Sequence, residues 1–260
     1  MDAVWTMVVV TTVAGLVTGV GAVPVLLGTR VSHRVYDAAL GLAGGIMVAA
    51  SVFGLIIPGT EQGALWQVMA GVFVGGFVLL AGNRVIPHVH AEYNRWRGHG
   101  GADDGEPAID DRVRRAVLVG GAITLHNAPE GLAMGIAFAS GLEAVAFVLA
   151  IVIGLQNVPD GFAFAVPVSQ AGMSTPKVFL YTTLSGAVPQ VLASLFGFGV
   201  VAVARGLFPV AAGFAAGAML AVVLREMVPS SHSHGYADAA TAAFLMGFVL
   251  LVAVDAVLAV

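Results

Sequence analysis

Stretches of about 20 predominantly apolar residues recur along the whole 260-residue chain. A helix needs roughly 20 such residues to cross the hydrocarbon core of a bilayer, because each residue advances the helix axis by only about 1.5 Å. Only 10% of the residues are charged, whereas about a quarter are charged in a typical soluble domain. The sequence therefore predicts an all-α integral membrane protein that crosses the bilayer several times.

Hydropathy and turn residues divide the chain into eight predicted transmembrane helices. Most of the connections between them are short and rich in Gly, Ser or Pro, so residues 1–260 are expected to form a single transmembrane domain. One connection is longer: residues 87–111 are polar and are predicted to form a flexible cytoplasmic loop. The eight helices are expected at residues 4–28, 36–58, 65–86, 113–139, 143–168, 177–204, 207–228 and 238–258.

The basic residues predict how the chain is oriented in the membrane. If the N-terminus lies outside, every basic residue except Arg205 falls at a cytoplasmic helix end or loop, as the positive-inside rule requires. An even number of spans then places both termini outside, in the cell inner (plasma) membrane. The residues on the cytoplasmic side are Arg30, Arg34, Arg84, Arg95, Arg97, Arg112, Arg114, Arg115, Lys177 and Arg225.

Composition excludes several classes of site and partner. The chain has no cysteine, which excludes disulfides, thiolate metal sites and cysteine nucleophiles. Its net charge of −4, without a basic cluster of the required size, excludes a nucleic-acid partner. The expected partner is the lipid bilayer, and the sequence leaves open whether the chain forms a homodimer.

Two segments about thirty residues apart carry nearly the same polar sequence inside apolar helices. Residues 125–131 read LHNAPEG, and residues 155–161 read LQNVPDG. Polar and charged side chains are costly in hydrocarbon, so each is a candidate functional residue. Positions four apart share a helix face, which puts His126 beside Glu130. Each segment also contains a proline, which removes a backbone hydrogen bond and favours a broken helix lining a cavity.

These side chains form a donor set suited to a divalent metal. Gln156 and Asp160 share a face in the second segment, and Asn127 and Asn157 flank the same cavity. One imidazole, two carboxylates and up to three amide oxygens suit Zn²⁺, Fe²⁺, Mn²⁺ or Cd²⁺. A polar core that only holds the helices together is the alternative. This alternative is disfavoured, because burying two carboxylates without a basic partner costs much free energy and would add little to stability.

The HNxPEG-type segment followed by a QNxPDG-type segment resembles the ZIP family of divalent metal transporters. Met47 within residues 44–51 resembles a methionine of that family's second helix, and residues 216–220 leading into 226–229 resemble its seventh helix. Eight spans, outward termini and a long histidine-containing loop agree as well, so the resemblance covers essentially the full chain. It implies a bundle of eight helices in a 3+2+3 arrangement.

The resemblance also implies ligand sets for two adjacent metal positions. The principal position would be formed by Met47, His126, Glu130, Gln156 and Asp160. The adjacent position would be formed by Asn127, Glu130, Asn157 and Asp160, with the two carboxylates as bridges. The chain departs from the family pattern by having Asn157 where many members have an acidic residue. It also reads SGAVPQ at residues 185–190, where many members have a sixth-helix Ser-Gly-x-x-Glu. We therefore expect the adjacent position to bind metal weakly.

A path for the released ion is predicted at the cytoplasmic ends of the helices. Glu226 lies at the inner end of the seventh helix, and a local salt bridge with Arg225 is the alternative role for it. Loop histidines are thought to catch metal in the ZIP family, although ordinary solvated histidine is an equally valid interpretation. The candidates are His88, His90, His232 and His234.

The predicted function is transport of a divalent metal, with Zn²⁺ the expected substrate, toward the cytoplasm by alternating access through a site between helices four and five. The metal is a transported substrate, no cofactor is expected, and the absence of an HExxH motif argues against a metalloenzyme. Two alternatives remain open. One is a membrane metal sensor that does not transport, and the other is a proton-coupled carrier of another solute.

Overall fold

The computed structural model describes residues 3–28, 31–97, 126–170 and 172–258, with only the backbone described for 83–97 and for Leu258. Every regular element in these ranges is a helix, and there are eight of them. They are α1 (Ala3–Leu26), α2 (His33–Gln62), α3 (Leu65–Arg97), α4 (126–140), α5 (Glu143–Gln170), α6 (Thr175–Val203), α7 (Arg205–Ser231) and α8 (Ala237–Leu258).

Seven of the helices in the described part of the chain are long and apolar enough to cross a membrane. The eighth, α4, is described from residue 126 onward, and residues 113–125 of the predicted fourth span lie outside the described residues. Large apolar side chains such as Phe77, Leu192 and Phe196 are exposed on the outer surface. Such a surface suits contact with lipid rather than water. The chain is a multi-pass membrane protein.

One predicted boundary was wrong: α3 does not end near residue 86 but continues to Arg97. Part of the predicted loop at 87–111 is therefore helical, and residues 98–111 lie outside the described residues. The error has a physical cause, because hydropathy marks where a helix leaves hydrocarbon. A helix whose backbone hydrogen bonds are made internally can continue as a polar helix beyond that point.

Two helices change winding just before a proline. In α2 the segment Ala50–Ile56 is a π-helix and is followed by Pro58. In α7 the segment Val223–Met227 is a π-helix and is followed by Pro229. Proline lacks an N–H and its ring clashes with the carbonyl four residues earlier, so the preceding turn widens. The wider turn of α2 packs against α5.

Glycines bring α2 against α8 and α3 against α7. A Cβ atom built on Gly45 would lie 1.9 Å from the carbonyl oxygen of Phe244 in α8. A Cβ built on Gly75 would lie 1.9 Å from the carbonyl oxygen of Phe214 in α7. Neither position can hold a larger residue without separating the backbones, as in other close helix contacts in membranes. We call α2, α3, α7 and α8 the outer frame.

The helices α1, α4, α5 and α6 pack together in the same way, and we call them the site bundle. A Cβ on Gly131 of α4 would lie 2.1 Å from the carbonyl oxygen of Gln190 in α6. A Cβ on Gly161 of α5 would lie 1.9 Å from the carbonyl oxygen of Thr18 in α1. Within the site bundle, backbones therefore touch backbones.

The site bundle and the outer frame meet mainly through side chains. Gly54 of α2 faces the side chain of Leu149 in α5, and a Cβ built on Gly54 would lie 2.8 Å from Leu149 Cδ1. The hydroxyl of Tyr36 in α2 donates a hydrogen bond of 3.3 Å to the carbonyl oxygen of Ala163 in α5. Side chains can change rotamer where packed backbones cannot, so this boundary is the more adaptable of the two kinds of helix contact.

Candidate metal centre

The two polar segments meet in the interior, between α4 and α5. His126, Glu130 and Asp160 each offer a ligand atom, and these atoms all lie within 4.8 Å of one another. Glu130 is fully buried, and the side chains of His126 and Asp160 are only 14% and 8% exposed. The helical spacing of four residues puts His126 and Glu130 on one face, and the partner helix supplies Asp160.

Several ligand atoms at this position are buried without a hydrogen-bond partner among the described residues. They are Nε2 of His126, Oε1 of Gln156 and both carboxylate oxygens of Asp160. The distance from His126 Nε2 to Asp160 Oδ2 is 3.7 Å, which is too long for a hydrogen bond. Buried polar atoms are nearly always paired in proteins. Imidazole nitrogen and carboxylate or amide oxygen are common ligands of divalent cations, so the arrangement fits a bound metal ion.

Glu130 is held by amide groups from two other helices. The Nε2 group of Gln156 in α5 donates to Oε1 of Glu130, and the Nε2 group of Gln190 in α6 donates to Oε2. Both donors are neutral, so they stabilise the carboxylate without supplying positive charge. The first contact also fixes the amide of Gln156 so that its Oε1 atom is the end left without a hydrogen bond.

Gln190 joins the two asparagines to the same network. Its Nε2 group lies 3.2 Å from Oδ1 of Asn127 and 3.1 Å from Oδ1 of Asn157. The Nδ2 group of Asn157 lies 3.1 Å from Oε1 of Gln190 and donates to the carbonyl oxygen of Ala14 in α1 at 2.7 Å. Oxygens from Asn127, Glu130 and Asn157 thus surround the nitrogen of one amide.

The sequence pointed to Gln190 only as a departure from the family pattern and did not predict that it is the centre of this network. The signal was present, because Gln190 is a polar residue in the apolar helix α6 and directly follows Pro189. It is fully buried. A buried polar side chain in a membrane helix needs a partner, and α4 and α5 supply it.

Met47 lies in α2, which belongs to the outer frame rather than to the site bundle. It is fully buried in the hydrophobic core, and its carbonyl oxygen accepts a 2.8 Å hydrogen bond from Ser51 Oγ. The role of its sulfur as a metal ligand stays a prediction.

Glu226 approaches the centre from the other side of His126. Its Oε2 atom lies 3.8 Å from Nδ1 of His126. Glu226 belongs to the π-helical segment of α7 and its side chain is 30% exposed. The imidazole of His126 therefore lies between Asp160 of the site bundle and Glu226 of the outer frame.

The four predicted loop histidines differ in their surroundings. His88 and His90 lie in the polar end of α3, where side chains are outside the described residues. His232 has both ring nitrogens occupied, Nδ1 by the carbonyl oxygen of Val228 at 2.9 Å and Nε2 by Thr241 Oγ1 at 3.3 Å. His234 contacts α2 through Nδ1, which lies 2.8 Å from Oδ1 of Asp37.

Comparison with known proteins decides the family. Residues 87–255 match the family described as "Zip: ZIP Zinc transporter". The chain belongs to the ZIP zinc transporter family. It is 35% identical to the zinc transporter GufA of Myxococcus xanthus, over 93% of this chain and 94% of the relative. It is 34% identical to the zinc transporter ZIPB of Bordetella bronchiseptica, over 93% and 77% of the two chains.

A third ZIP relative, the zinc transporter ZupT of Corynebacterium aurimucosum, is 31% identical over 92% of this chain and 91% of its own length. Membership in the family confirms the predicted resemblance and the predicted class: this ZIP protein is a zinc transporter of the membrane and not an enzyme. Zinc is its transported substrate.

Proposed function

We propose that this ZIP protein moves Zn²⁺ toward the cytoplasm by alternating access, with the ion held by His126, Glu130, Gln156 and Asp160. The observation that supports this best is the set of four buried ligand atoms without hydrogen-bond partners among the described residues, on His126, Gln156 and Asp160. A dication bound among these four atoms would give each of them the partner that the described residues do not provide. Two carboxylates and a neutral imidazole also balance its charge, which matters in a low-dielectric interior.

The ion exchanges its bound waters for these side chains. Nε2 of His126 and the oxygens of Asp160 are open to accept it. Gln156 donates its N–H group to Glu130 and offers its carbonyl oxygen to the ion. Other divalent ions with the same preference for nitrogen and oxygen ligands, Fe²⁺, Mn²⁺ and Cd²⁺, are the competing substrates.

The centre holds one ion rather than two. Three of the four residues expected to form the adjacent position, Asn127, Glu130 and Asn157, each have an oxygen within hydrogen-bond distance of the amide nitrogen of Gln190. The oxygens of the fourth, Asp160, have no hydrogen-bond partner among the described residues. The amide of Gln190 has two N–H groups and adds no charge, so it competes with a second cation for the first three oxygens and favours a single ion.

The helix packing supports a rigid-body mechanism. The site bundle is joined internally by backbone contacts at glycines, and it meets the outer frame largely through side chains. The contacts also pair α1 with α6, α2 with α8 and α3 with α7. This pattern is unchanged when α1, α2 and α3 are exchanged with α6, α7 and α8, as a 3+2+3 inverted repeat requires. Such repeats permit rocking of one bundle against another.

The positive-inside prediction, with both termini outside, assigns the entrance of the ion path to the outer side of the membrane and its exit to the cytoplasmic side. The ion then leaves past Glu226 toward the ends of α2 and α7. When the site is occluded, the thioether of Met47 in the outer frame completes the coordination. Movement of the site bundle past α2 would bring His126 and Met47 together and then separate them.

The test is uptake of Zn²⁺ into proteoliposomes by the wild type and by Glu130→Ala and His126→Ala. Glu143→Ala is the matched control, because Glu143 is an exposed carboxylate at the start of α5. Saturable uptake that is abolished by the two site variants and retained by the control supports the proposed path. Binding of Zn²⁺ without any uptake by the wild type would indicate a metal sensor.

A panel of ions measured in the same vesicles ranks Zn²⁺ against Fe²⁺, Mn²⁺ and Cd²⁺. Uptake that depends on a proton gradient but not on any metal would instead indicate a carrier of another solute, and it would overturn the proposal.

A further inference from the structure

A second group of imidazole and carboxylate side chains lies away from the centre, where α2 begins and α7 joins α8. The imidazole rings of His33 and His234 are stacked, with centroids 4.4 Å apart and planes inclined by 15°. The carboxylate of Asp37 lies one helical turn from His33 in α2. The three side chains come from two chain segments separated by about two hundred residues, so only the fold brings them together.

Asp37 fixes the orientation and tautomer of His234. Its Oδ1 atom lies 2.8 Å from Nδ1 of His234. A carboxylate can only accept, so Nδ1 carries the hydrogen and Nε2 is the nitrogen with a lone pair. Tyr36 packs edge-on against the same ring, with centroids 5.7 Å apart. Metal-binding histidines are usually held in this way, with a carboxylate on one ring nitrogen while the other stays open.

The carboxylate of Asp37 also has an unpaired atom. The residue is fully buried, and its Oδ2 atom has no hydrogen-bond partner in the part of the chain that the structure describes. A buried carboxylate with only one bonded oxygen favours positive charge nearby. The side chain of His234 is 34% exposed and His33 is exposed, so an ion from solvent can reach the rings.

The turn between α7 and α8 is built to place His234 there. Gly235 has φ +87°, a left-handed conformation that residues with a Cβ rarely adopt. It reverses the chain just after His234, so that this side chain lies over the first turns of α2. His33 lies in the exposed first turn of α2, where its ring can rotate out of the stack to turn a nitrogen toward a shared ion.

We propose that His33 and His234 form an auxiliary site for a divalent transition metal, with Asp37 as the carboxylate that orients His234. Water completes the coordination, so binding is weaker and faster to reverse than at the central site. Only the role of this site rests on the proposed function: it lies at the predicted cytoplasmic end of the path and would receive the ion that Glu226 passes on. Binding of the metal to His33 and His234 does not depend on transport.

The test uses a full-length background variant that keeps the histidines near the α7–α8 turn and lacks the other four. The chain has seven histidines. Replacing His88, His90, His99 and His126 by Ala, together with Asp160→Asn, removes the central site and leaves His33, His232 and His234. Zn²⁺ bound per chain is then measured by equilibrium dialysis in detergent, with a thermal melt to show that each variant is folded.

We expect the background variant to bind one Zn²⁺ per chain. His33→Ala should abolish this binding and keep the fold, since His33 is exposed. Asp37→Asn should weaken it by about 10- to 100-fold, the usual effect of removing a carboxylate that orients a metal-binding histidine. His232→Ala is the control and should bind Zn²⁺ as the background does, because both its ring nitrogens are already hydrogen-bonded.

Binding that survives in the His33→Ala/His234→Ala variant would overturn the proposal, and so would a background variant that binds no Zn²⁺. These outcomes do not depend on transport. Failure of the proposed function appears instead as absent uptake by the otherwise unaltered chain, whether or not the background variant binds metal.

Discussion

Glu226 Oε2 lies 3.8 Å from Nδ1 of His126, and this approach connects the central site to the outer frame. The other nitrogen of the same ring, Nε2, lies 3.7 Å from Asp160. One imidazole therefore separates Asp160, which we propose as a ligand of the ion, from Glu226, which lies toward the predicted exit. Both distances are longer than an ordinary hydrogen bond.

Replacing Glu226 by Gln should slow uptake more than it weakens binding. A contact between the Glu226 carboxylate and the leaving Zn²⁺ would stabilise the exit step by about 1.5–3 kcal/mol, the range for interactions with a charged group. Losing this contact should lower the maximal uptake rate by about tenfold or more. The dissociation constant at the central site should change little. Zn²⁺ uptake and equilibrium binding are measured side by side, with Glu143→Gln, at an exposed carboxylate at the start of α5, as the control. A weakened binding constant with an unchanged maximal rate would mean that Glu226 only positions His126.

Metal affinity at the central site should fall as the pH is lowered. Metal ligands must be deprotonated, so protons compete with Zn²⁺ for His126 and for the carboxylates. Each unit by which the pH falls should weaken binding by up to about tenfold for every proton displaced. The affinity is therefore greater at high pH and lost as the pH falls. Binding isotherms at pH 7.5, 6.5 and 5.5 measure this, and identical isotherms would contradict it.

Replacing Gln190 by Glu should turn a one-ion centre into a two-ion centre. The substitution removes the amide nitrogen that contacts Asn127, Glu130 and Asn157 and adds a carboxylate. Like charges at this distance repel unless a cation lies between them. We expect the Zn²⁺ content of the purified protein to rise from about one to about two ions per chain. Ser194→Ala, one turn further along α6, is the control, and an unchanged content in Gln190→Glu would refute the interpretation that the amide of Gln190 keeps a second ion out.

Replacing Met47 by Leu removes the sulfur while nearly preserving the volume of the side chain, so it tests the sulfur alone. Leucine has a similar volume, so the core should lose less than about 1.5 kcal/mol. If the thioether binds the ion during occlusion, transport of the softer Cd²⁺ should suffer more than transport of Mn²⁺. The measurement is the ratio of Cd²⁺ to Mn²⁺ uptake, and a ratio equal to that of the wild type would exclude Met47 as a ligand.

Replacing Gly131 by Ala should separate α4 from α6. The new Cβ would lie 2.1 Å from the carbonyl oxygen of Gln190, so the backbones must move and the network around Glu130 must loosen. We expect a lower melting temperature and loss of Zn²⁺ binding. Gly199→Ala in α6 is the matched control, because its Cβ would meet nothing within 4 Å. Equal melting temperatures for the two variants would show that the close contact is not needed.

The central site was predictable because its residues repeat at helical spacing within two neighbouring segments. Positions four apart share a face, so the pairing of His126 with Glu130 and of Gln156 with Asp160 follows from the sequence alone. The helix ends were also predicted within a few residues wherever hydrophobic spans end at turns. Residue 143 as the start of α5 is an example.

The remaining features depend on contacts between distant parts of the chain. Asp37 and His234 are separated by 197 positions, and no periodicity links them. The role of Gln190 required knowing that α6 packs against both α4 and α5. The π-helical turns were not predicted, although Pro58 and Pro229 are the local signals for them.

The amide network around Gln190 also bears on how the protein assembles. Helices that have already entered the bilayer gain little from hiding apolar surface, because lipid is as apolar as their own side chains. Polar atoms are different, since lipid offers them no partner. The contacts among Asn127, Asn157, Gln190 and the carbonyl of Ala14 can form only when α1, α4, α5 and α6 are aligned in one register. A misaligned helix would leave these groups facing hydrocarbon, so the network favours the correct alignment of the four helices.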